Sequence, residues 1–292
     1  MKQISHIEIG ATLFVPATHQ ALADIVCHQK YKDLKSVVID TEDGINDESL
    51  ELAYKAIVDL LFLYEKKDLL VFIRPKNIAT LKKLLKTKHI EKIDGFVLPK
   101  FSLDNASGYL KLLSQTRYVF MPSIEGLELF SQKKLCMLKE LLLPLKEQIP
   151  LLRYGLEDML GQLKMKRSCM KGVFDYASTS YVLGQFLAVF KSEGFYVSGG
   201  VYPCYKDDKG FIKDVKRDLE EGLFGKTIIH PRQIKLTNEL YRVTQEEYTE
   251  AKAVLKSKNM VFSQNDKMAE VKTMSAFSRE IVQRKEIYGL VK

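Results

Sequence analysis

The strongest constraint on the fold of this chain is a regular alternation of short apolar runs with longer segments of helical periodicity. Runs rich in β-branched and aromatic residues are typical of buried strands. Repeated strand–helix units imply parallel strands joined by right-handed crossovers, and because eight such runs occur, we predict a (β/α)₈ TIM barrel. The predicted strands are Ala11–Ala17, Ser36–Glu42, Leu69–Pro75, Gly95–Lys100, Tyr118–Glu125, Leu151–Asp158, Val197–Pro203 and Lys226–Pro231.

An open doubly wound sheet is the alternative fold for the same alternation. That fold usually carries a glycine-rich phosphate-binding turn after its first strand. Here the first strand ends with Val15-Pro16-Ala17-Thr18, and no G-x-G-x-x-G motif follows. The sequence therefore favours the barrel.

Helical periodicity predicts helices between the strands and three more after the eighth strand. The three final helices exceed what a barrel requires. We therefore predict a barrel domain over residues 1–240 and a C-terminal helical extension over residues 241–292, which either packs under the barrel or reaches a neighbouring subunit. The predicted helices are Gln20–Lys30, Asp47–Glu65, Ile78–Lys88, Ser102–Gln115, Gly126–Lys146, Lys171–Ser192, Lys209–Glu221, Gln233–Tyr241, Gln245–Ser257 and Met268–Tyr288.

The composition agrees with one large folded domain. With 292 residues, 46% of them hydrophobic, the chain can bury the core of a single barrel. Its apolar stretches fall short of the roughly 20 residues needed to cross a bilayer, and its N-terminus lacks the apolar core of a secretory signal. Four scattered cysteines predict neither a zinc site nor a disulfide, so we expect reduced thiols in a cytoplasmic protein without membrane contact. They are Cys27, Cys136, Cys169 and Cys204.

The net charge of +8 raises the hypothesis of a nucleic-acid partner. The densest basic stretch, Leu81–His89, places lysines between leucines at helical spacing, which is typical of a solvated helix face. No recognised nucleic-acid motif and no aromatic–basic interleaving occurs, so we predict no nucleic-acid partner. The same charge would also suit a polyanionic substrate such as a CoA ester.

Charged residues follow the predicted strands at the end where a parallel barrel places its active site. Glu125 ends the fifth predicted strand and Asp158 ends the sixth. Two carboxylates from adjacent strands repel each other unless a proton or a cation lies between them, and Mg²⁺ commonly takes one or two protein carboxylates. The same pattern is compatible with helix capping, above all for Asp158.

Two further strand-end residues are candidates for function. Arg74 ends the third strand, where it would either bind a substrate carboxylate or pair with Glu42 or Asp43. His230 precedes Pro231, a favourable first residue of a helix, so a structural hydrogen bond is favoured over catalysis.

An ordered series of motifs runs from about Leu13 to Tyr288, and with it the chain resembles the HpcH/HpaI aldolase and citrate lyase β-subunit superfamily. The likeness is closest to the citrate lyase β-like branch. The motifs are Leu13-Phe14-Val15-Pro16, Ile39-Asp40-Thr41-Glu42-Asp43-Gly44, Ile73-Arg74-Pro75, Asp94-Gly95-Phe96-Val97-Leu98-Pro99-Lys100, Ser123-Ile124-Glu125, Gly155-Leu156-Glu157-Asp158 and Gly222-Leu223-Phe224-Gly225-Lys226-Thr227-Ile228-Ile229-His230-Pro231-Arg232-Gln233.

The resemblance implies a (β/α)₈ barrel that forms a homo-oligomer, a trimer or a hexamer, and that uses Mg²⁺. It assigns Glu125 and Asp158 as the Mg²⁺ ligands beside the substrate. It assigns Arg74 as the catalytic arginine that contacts the carboxylate and carbonyl oxygens of the substrate. Glu42 and Asp43 match the acidic pair that supports this arginine and metal-bound waters.

Other positions match the family less closely. Glu270, in Met268-Ala269-Glu270, resembles an acidic residue that transfers protons in related lyases. Where the family usually has Pro-Gly and then an arginine, this chain has Pro16-Ala17-Thr18-His19, and an Asp-Gly-Val-Tyr pattern is replaced by Gly199-Gly200-Val201-Tyr202. These departures bear on the substrate, and on a CoA thioester in particular, more than on the chemistry.

We therefore expect a Mg²⁺-dependent carbon–carbon lyase that cleaves a 2-oxo-acid-derived or acyl-CoA substrate by a retro-aldol or retro-Claisen reaction. Two alternatives stay open. Lys100 would serve a Schiff-base aldolase on the same fold. A barrel that lost turnover would be a ligand-binding or regulatory protein.

Overall fold

A parallel sheet of seven strands forms the centre of the protein in a computed structural model that describes residues 4–291. The sheet order is β6-β5-β4-β3-β2-β1-β7, so each strand up to the sixth pairs with its neighbour in sequence and the seventh returns to the first. The strands are β1 Thr12–Pro16, β2 Ser36–Asp40, β3 Leu70–Arg74, β4 Gly95–Leu98, β5 Val119–Ile124, β6 Arg153–Tyr154 and β7 Thr227–Ile228.

Residues 196–199 fill the gap between β6 and β7. Leu152 N–H donates to the Tyr196 carbonyl over 2.8 Å, and the Leu152 carbonyl accepts from Ser198 N–H over 2.9 Å. On the other side, Thr227 N–H donates to the Gly199 carbonyl over 3.2 Å. Backbone hydrogen bonds therefore run around the complete ring, which confirms the α/β TIM barrel and excludes the open sheet. The predicted strand over 197–203 was too long, since its pairing ends at Gly199.

Twelve α-helices lie within residues 4–291. Most agree with the predicted helical segments, although they are shorter at their ends. They are α1 His6–Ile9, α2 Leu22–Val26, α3 Leu50–Leu63, α4 Ile78–Leu84, α5 Ala106–Leu113, α6 Gln132–Leu142, α7 Leu156–Gln162, α8 Ala177–Lys191, α9 Asp208–Glu220, α10 Arg232–Leu240, α11 Gln245–Lys256 and α12 Val271–Tyr288.

The barrel interior is filled by apolar side chains from successive strands. Val38, Phe72, Val97 and Met121 are buried and belong to one core cluster. Removal of each such side chain from water stabilises the fold by roughly 1.5–3 kcal/mol. Because the layer closes the barrel below the carboxyl ends of the strands, it leaves those ends as the place for a polar site.

The chain divides into two compact units between Ile234 and Lys235. In the C-terminal unit, Val243, Ala251 and Ile281 are buried together. This unit also contains an antiparallel hairpin of β8 Val261–Gln264 and β9 Lys267–Glu270. In residues 4–291 no helix has both the length and the apolar character of a membrane span.

One structural prediction for this unit was wrong. The helix predicted from Met268 begins at Val271, because the preceding residues pair with β8. Asn265 and Asp266 have φ of 50° and 58°, the left-handed values that a two-residue hairpin turn requires and that Asn and Asp tolerate. The Asn265-Asp266 pair was therefore a signal for a hairpin turn, and the helix predicted from Met268 did not take it into account.

The prediction that no disulfide forms was also wrong. Cys169 and Cys204 are bonded, with their Cα atoms 6.1 Å apart. Cys169 lies in the loop after α7, and Cys204 follows the bridging segment 196–199. The two residues are 35 positions apart, and only the barrel closure brings these loops together.

The first prediction concerns this bond. Cys204→Ser should lower the free energy of unfolding by about 2–4 kcal/mol in non-reducing buffer, because the cross-link restricts the unfolded chain. Urea unfolding followed by circular dichroism measures the change. Cys136→Ser, which removes a free cysteine, is the matched control. An equal loss for both variants, or a difference that survives a thiol reductant, would contradict the prediction.

Candidate functional site

The side chain of Arg74 is held by three carboxylates at the carboxyl ends of β2 and β3. Asp40 and Arg74 are the last residues of these neighbouring strands and are paired in register. Arg74 Nε and Nη2 donate to the two oxygens of Asp40 over 2.6 and 2.7 Å. Arg74 Nη1 lies 3.1 Å from Glu42 Oε2 and 3.2 Å from Asp43 Oδ2. A planar guanidinium bound in this way has one fixed orientation.

Lys100 connects this group to β5. Its Nζ donates to Glu42 Oε1 over 2.6 Å and lies 3.3 Å from Asp43 Oδ1. The hydrogen bond with Glu42 raises the pKa of Lys100 above its ordinary value of 10.5. Lys100 has a φ of 46°, a left-handed conformation, and in it the backbone N–H donates to Glu125 Oε1 over 2.6 Å. This residue therefore uses its side chain and its backbone to position two different carboxylates.

Glu125 directly follows β5 and is buried. Its Oε2 accepts a hydrogen bond from Ser123 Oγ over 3.1 Å. Burial raises the pKa of Glu125 to about 7, and the charge of Asp158 adds to the increase, while the Lys100 N–H opposes it. Gly155 passes so close that a Cβ there would collide with the Glu125 side chain. The glycine therefore lets the chain enter α7 beside this carboxylate.

Asp158 lies in the first turn of α7, not at the end of a strand as predicted. The sixth strand ends at Tyr154, and the helix begins at Leu156, so the predicted strand over 151–158 was too long. The N-cap residue of α7 is Gly155, and no side chain caps this helix end by a hydrogen bond. Burial and the charge of Asp43 raise the pKa of Asp158.

A cavity of about 330 Å³ is lined by Arg74, Glu125 and Asp158 together. Five carboxylates line it against two guanidinium groups, so its wall carries excess negative charge. Within residues 4–291 no cluster of three or more His, Cys, Asp or Glu side chains has the arrangement of a complete metal site. Mg²⁺ does not need one, because it usually takes one or two carboxylates and keeps water or substrate as its other ligands. Glu125 and Asp158 both have raised pKa values, and the charge of Asp158 contributes to that of Glu125, so this pair of acids fits such a cation.

Two residues in this cavity were not among the predicted site residues. Asp40 is the bidentate partner of Arg74, and its register with Arg74 across β2 and β3 was the available signal. Arg153, in the short β6, is buried and donates over 2.9 Å to the hydroxyls of both Thr12 and Thr227. No local pattern marks Arg153, because its partners are distant in sequence.

The remaining candidates lie elsewhere. His230 Nδ1 accepts from Arg232 N–H over 3.1 Å, and its ring stacks on Tyr205 with the centroids 4.7 Å apart. Glu270 ends β9 and directly precedes α12 in the C-terminal unit. Its assignment to proton transfer stays a prediction.

A family profile described as C-C bond lyase of the TIM-barrel fold matches residues 3–290. The chain belongs to this family. The match covers almost all of the sequence and agrees with the closed barrel.

Within the C-C bond lyase family, the chain is similar to citrate lyase subunit beta of Escherichia coli K12, with 28% identity over 143 residues. It is also 32% identical over 69 residues to L-malyl-CoA/beta-methylmalyl-CoA lyase of Cereibacter sphaeroides. The matched segments cover 47% and 24% of this chain, but only 45% and 22% of those relatives.

Solved structures agree on the fold. CitE of Mycobacterium tuberculosis, in complex with magnesium, acetoacetate and coenzyme A, superposes with a TM-score of 0.67. It is 18% identical, and the match covers 95% of this chain and 98% of CitE. RipC of Yersinia pestis superposes with a TM-score of 0.62 at 17% identity, over 83% of this chain and 99% of RipC.

The raised pKa of Glu125 yields the second prediction. A glutamate in the unfolded chain ionises near pH 4.5, whereas native Glu125 keeps its proton to about pH 7. The native state therefore binds more protons between these values, and the free energy of unfolding falls as the pH rises from about 4.5 to about 7. The loss should be on the order of 3 kcal/mol.

Urea unfolding in EDTA at several pH values measures this slope. Glu125→Gln should flatten it, because the amide does not titrate. Glu157→Gln is the matched control, since Glu157 lines the same cavity but is exposed. A slope of equal size in the wild type and in Glu125→Gln would show that another group is responsible.

Proposed function

We propose that this chain is a Mg²⁺-dependent carbon–carbon lyase that cleaves a 2-oxo-acid-derived or acyl-CoA substrate. The observation that carries the proposal is the shared cavity, which is lined by Glu125, Asp158 and the oriented Arg74. The names of the relatives support the reaction type, since citrate lyase and malyl-CoA lyase both break carbon–carbon bonds. Family membership supports the same class.

Glu125 and Asp158 would hold the metal ion. Both carboxylates line the cavity, and both have raised pKa values, so a dication relieves the repulsion between them. When bound, Mg²⁺ supplies Lewis-acid polarisation of a carbonyl group and orients the carboxylate of the substrate. Ser123 and the Lys100 backbone keep Glu125 in place before the ion binds.

Arg74 would stabilise the negative charge that develops on the substrate. Three of its five N–H groups donate to Asp40 and Asp43, and Nη1 also lies 3.1 Å from Glu42 Oε2. The second N–H of Nη2 is the donor that we assign to a substrate oxygen. Because the guanidinium is already oriented, no reorganisation is needed when a carbonyl oxygen becomes an enolate oxygen.

In the cleavage direction, a base removes the proton of the substrate hydroxyl. The hydroxyl oxygen then forms a carbonyl, the adjacent carbon–carbon bond breaks, and its electron pair passes to the departing enolate. Protonation of the enolate completes the reaction. Glu270 is our candidate for the acid and base, and it would act in its own subunit or in a neighbour of a homo-oligomer.

The Schiff-base alternative is less well supported. Lys100 is paired with Glu42, which raises its pKa, so its amine is protonated and is a poor nucleophile at neutral pH. We therefore predict that borohydride in the presence of pyruvate or oxaloacetate leaves the protein mass unchanged. Mass spectrometry of the treated protein measures this. A covalent adduct at Lys100 that EDTA does not prevent would establish the amine mechanism instead.

The decisive experiment is a thermal-shift screen of 2-oxo acids and acyl-CoA thioesters with and without Mg²⁺. A ligand present at 100 times its Kd stabilises the native state by about 2.7 kcal/mol. We expect the true substrate to stabilise the protein only when Mg²⁺ is present. Glu125→Gln should abolish this synergy, because one metal ligand is lost, while Glu157→Gln should retain it.

The screen also tests the non-enzymatic alternative. Stabilisation by a ligand without turnover in any product assay would indicate a binding or regulatory protein. Synergy that persists in Glu125→Gln would refute the assignment of this carboxylate.

A further inference from the structure

A second, larger concave site lies next to the catalytic cavity. We call it the basic groove: it is bounded by the loop 167–172 and by one face of α9, and its volume is about 710 Å³. Small-molecule sites usually measure about 300–1,000 Å³. Val201 lines the catalytic cavity, and the next residue, Tyr202, lines the basic groove. The two sites therefore share a wall.

Six cationic side chains line the basic groove. Lys209, Lys213 and Lys216 are spaced by four and three positions in α9, so they share one helix face. Lys171 extends this charge from the loop on the opposite side. The complete set is Arg167, Lys171, Lys209, Lys213, Lys216 and Arg217.

The carboxylates of the basic groove already have partners inside the protein. Asp207 accepts hydrogen bonds from Gly210 N–H over 3.0 Å and from the Tyr202 hydroxyl over 2.8 Å. Asp214 is buried and pairs with Arg167 and Lys226. Asp175 and Glu220 also line the groove, and they pair with Lys213 and Arg217. Six cationic side chains therefore stand against four carboxylates, so the lining keeps an excess of positive charge.

Three lysines remain as the source of positive potential. Across the described residues, Lys171, Lys209 and Lys216 form no ion pair with a carboxylate. All three are exposed at the groove. Ammonium groups that line one concave site attract an anion into it. Phosphate is a suitable anion, since lysines bind it as compact point charges.

The walls of the basic groove are fixed before any ligand arrives. The disulfide between Cys169 and Cys204 joins the loop 167–172 to the segment that follows residues 196–199. The Tyr202 hydroxyl donates to the Cys169 carbonyl over 3.1 Å, and Arg167 Nη1 donates to the Val201 carbonyl over 2.9 Å. A preformed wall lowers the entropic cost of binding.

We propose that the basic groove binds a ligand that carries phosphate groups, separately from the metal and arginine chemistry of the catalytic cavity. Two sources share this chemistry. One is the phosphorylated tail of a thioester substrate whose reacting end lies in the catalytic cavity, and in that case the inference rests on the proposed function. The other is an independent phosphorylated effector, for which it does not.

Isothermal titration calorimetry with inorganic pyrophosphate and with coenzyme A tests the groove in Mg²⁺-free buffer containing EDTA. The double variant Lys209→Ala/Lys216→Ala should raise the Kd of pyrophosphate at least tenfold. The matched control is Lys82→Ala/Lys86→Ala, which removes the same charge from exposed lysines elsewhere and should leave the Kd unchanged. Absence of pyrophosphate binding to the wild type, or an equal loss in both double variants, would overturn the proposal.

Competition identifies the source of the phosphate. Coenzyme A that displaces pyrophosphate, together with a higher KM for acyl-CoA and an unchanged kcat in Lys209→Ala/Lys216→Ala, supports the substrate tail. Pyrophosphate binding that coenzyme A does not affect supports an effector. Glu125→Gln should leave the Kd of pyrophosphate unchanged, so failure of the catalytic proposal is distinguishable from failure of this one.

Discussion

The bidentate pair of Arg74 and Asp40 is the interaction on which the candidate active site depends. It joins the last residues of two adjacent parallel strands, so the barrel backbone itself sets its geometry. A buried ion pair of this kind adds little net stability, because desolvation offsets much of the attraction. Its effect is orientation: Glu42 and Asp43 gather around the same guanidinium, and Lys100 then links them to Glu125.

This series of contacts explains why the cavity carries excess negative charge. The acids that hold Arg74 are largely compensated by it and by Lys100, whereas Glu125 and Asp158 line the cavity without an ion pair to a cationic side chain among the described residues and have raised pKa values. A cation bound beside these two carboxylates would offset the cost of ionising them. The same cavity presents an arginine donor, and a bound cation beside a fixed donor is a combination that stabilises an enolate.

The disulfide and the basic groove extend this organisation beyond the cavity. The loop after α7 lines the basic groove, residues 201 and 202 line the cavity and the groove respectively, and the Cys169–Cys204 bond joins that loop to the segment that follows residue 202. Negative charge predominates in the catalytic cavity, and positive charge from lysines predominates in the basic groove. A ligand with a metal-chelating head and a phosphorylated tail would match both sides.

The sequence by itself determined the barrel and most of its strand ends. Alternating periodicity is a local property, so β1 to β5 lie inside their predicted ranges, and Arg74, Glu42, Asp43 and Glu125 fall where the strands end. Only the tertiary structure decided the rest. It placed Asp158 in α7 and reduced the strand predicted over residues 197–203 to the short bridging segment 196–199. It paired Asp40 with Arg74 and joined Cys169 to Cys204. Asp40 meets Arg74 because neighbouring strands pair in register, and Cys169 meets Cys204 because closure of the ring brings distant loops together.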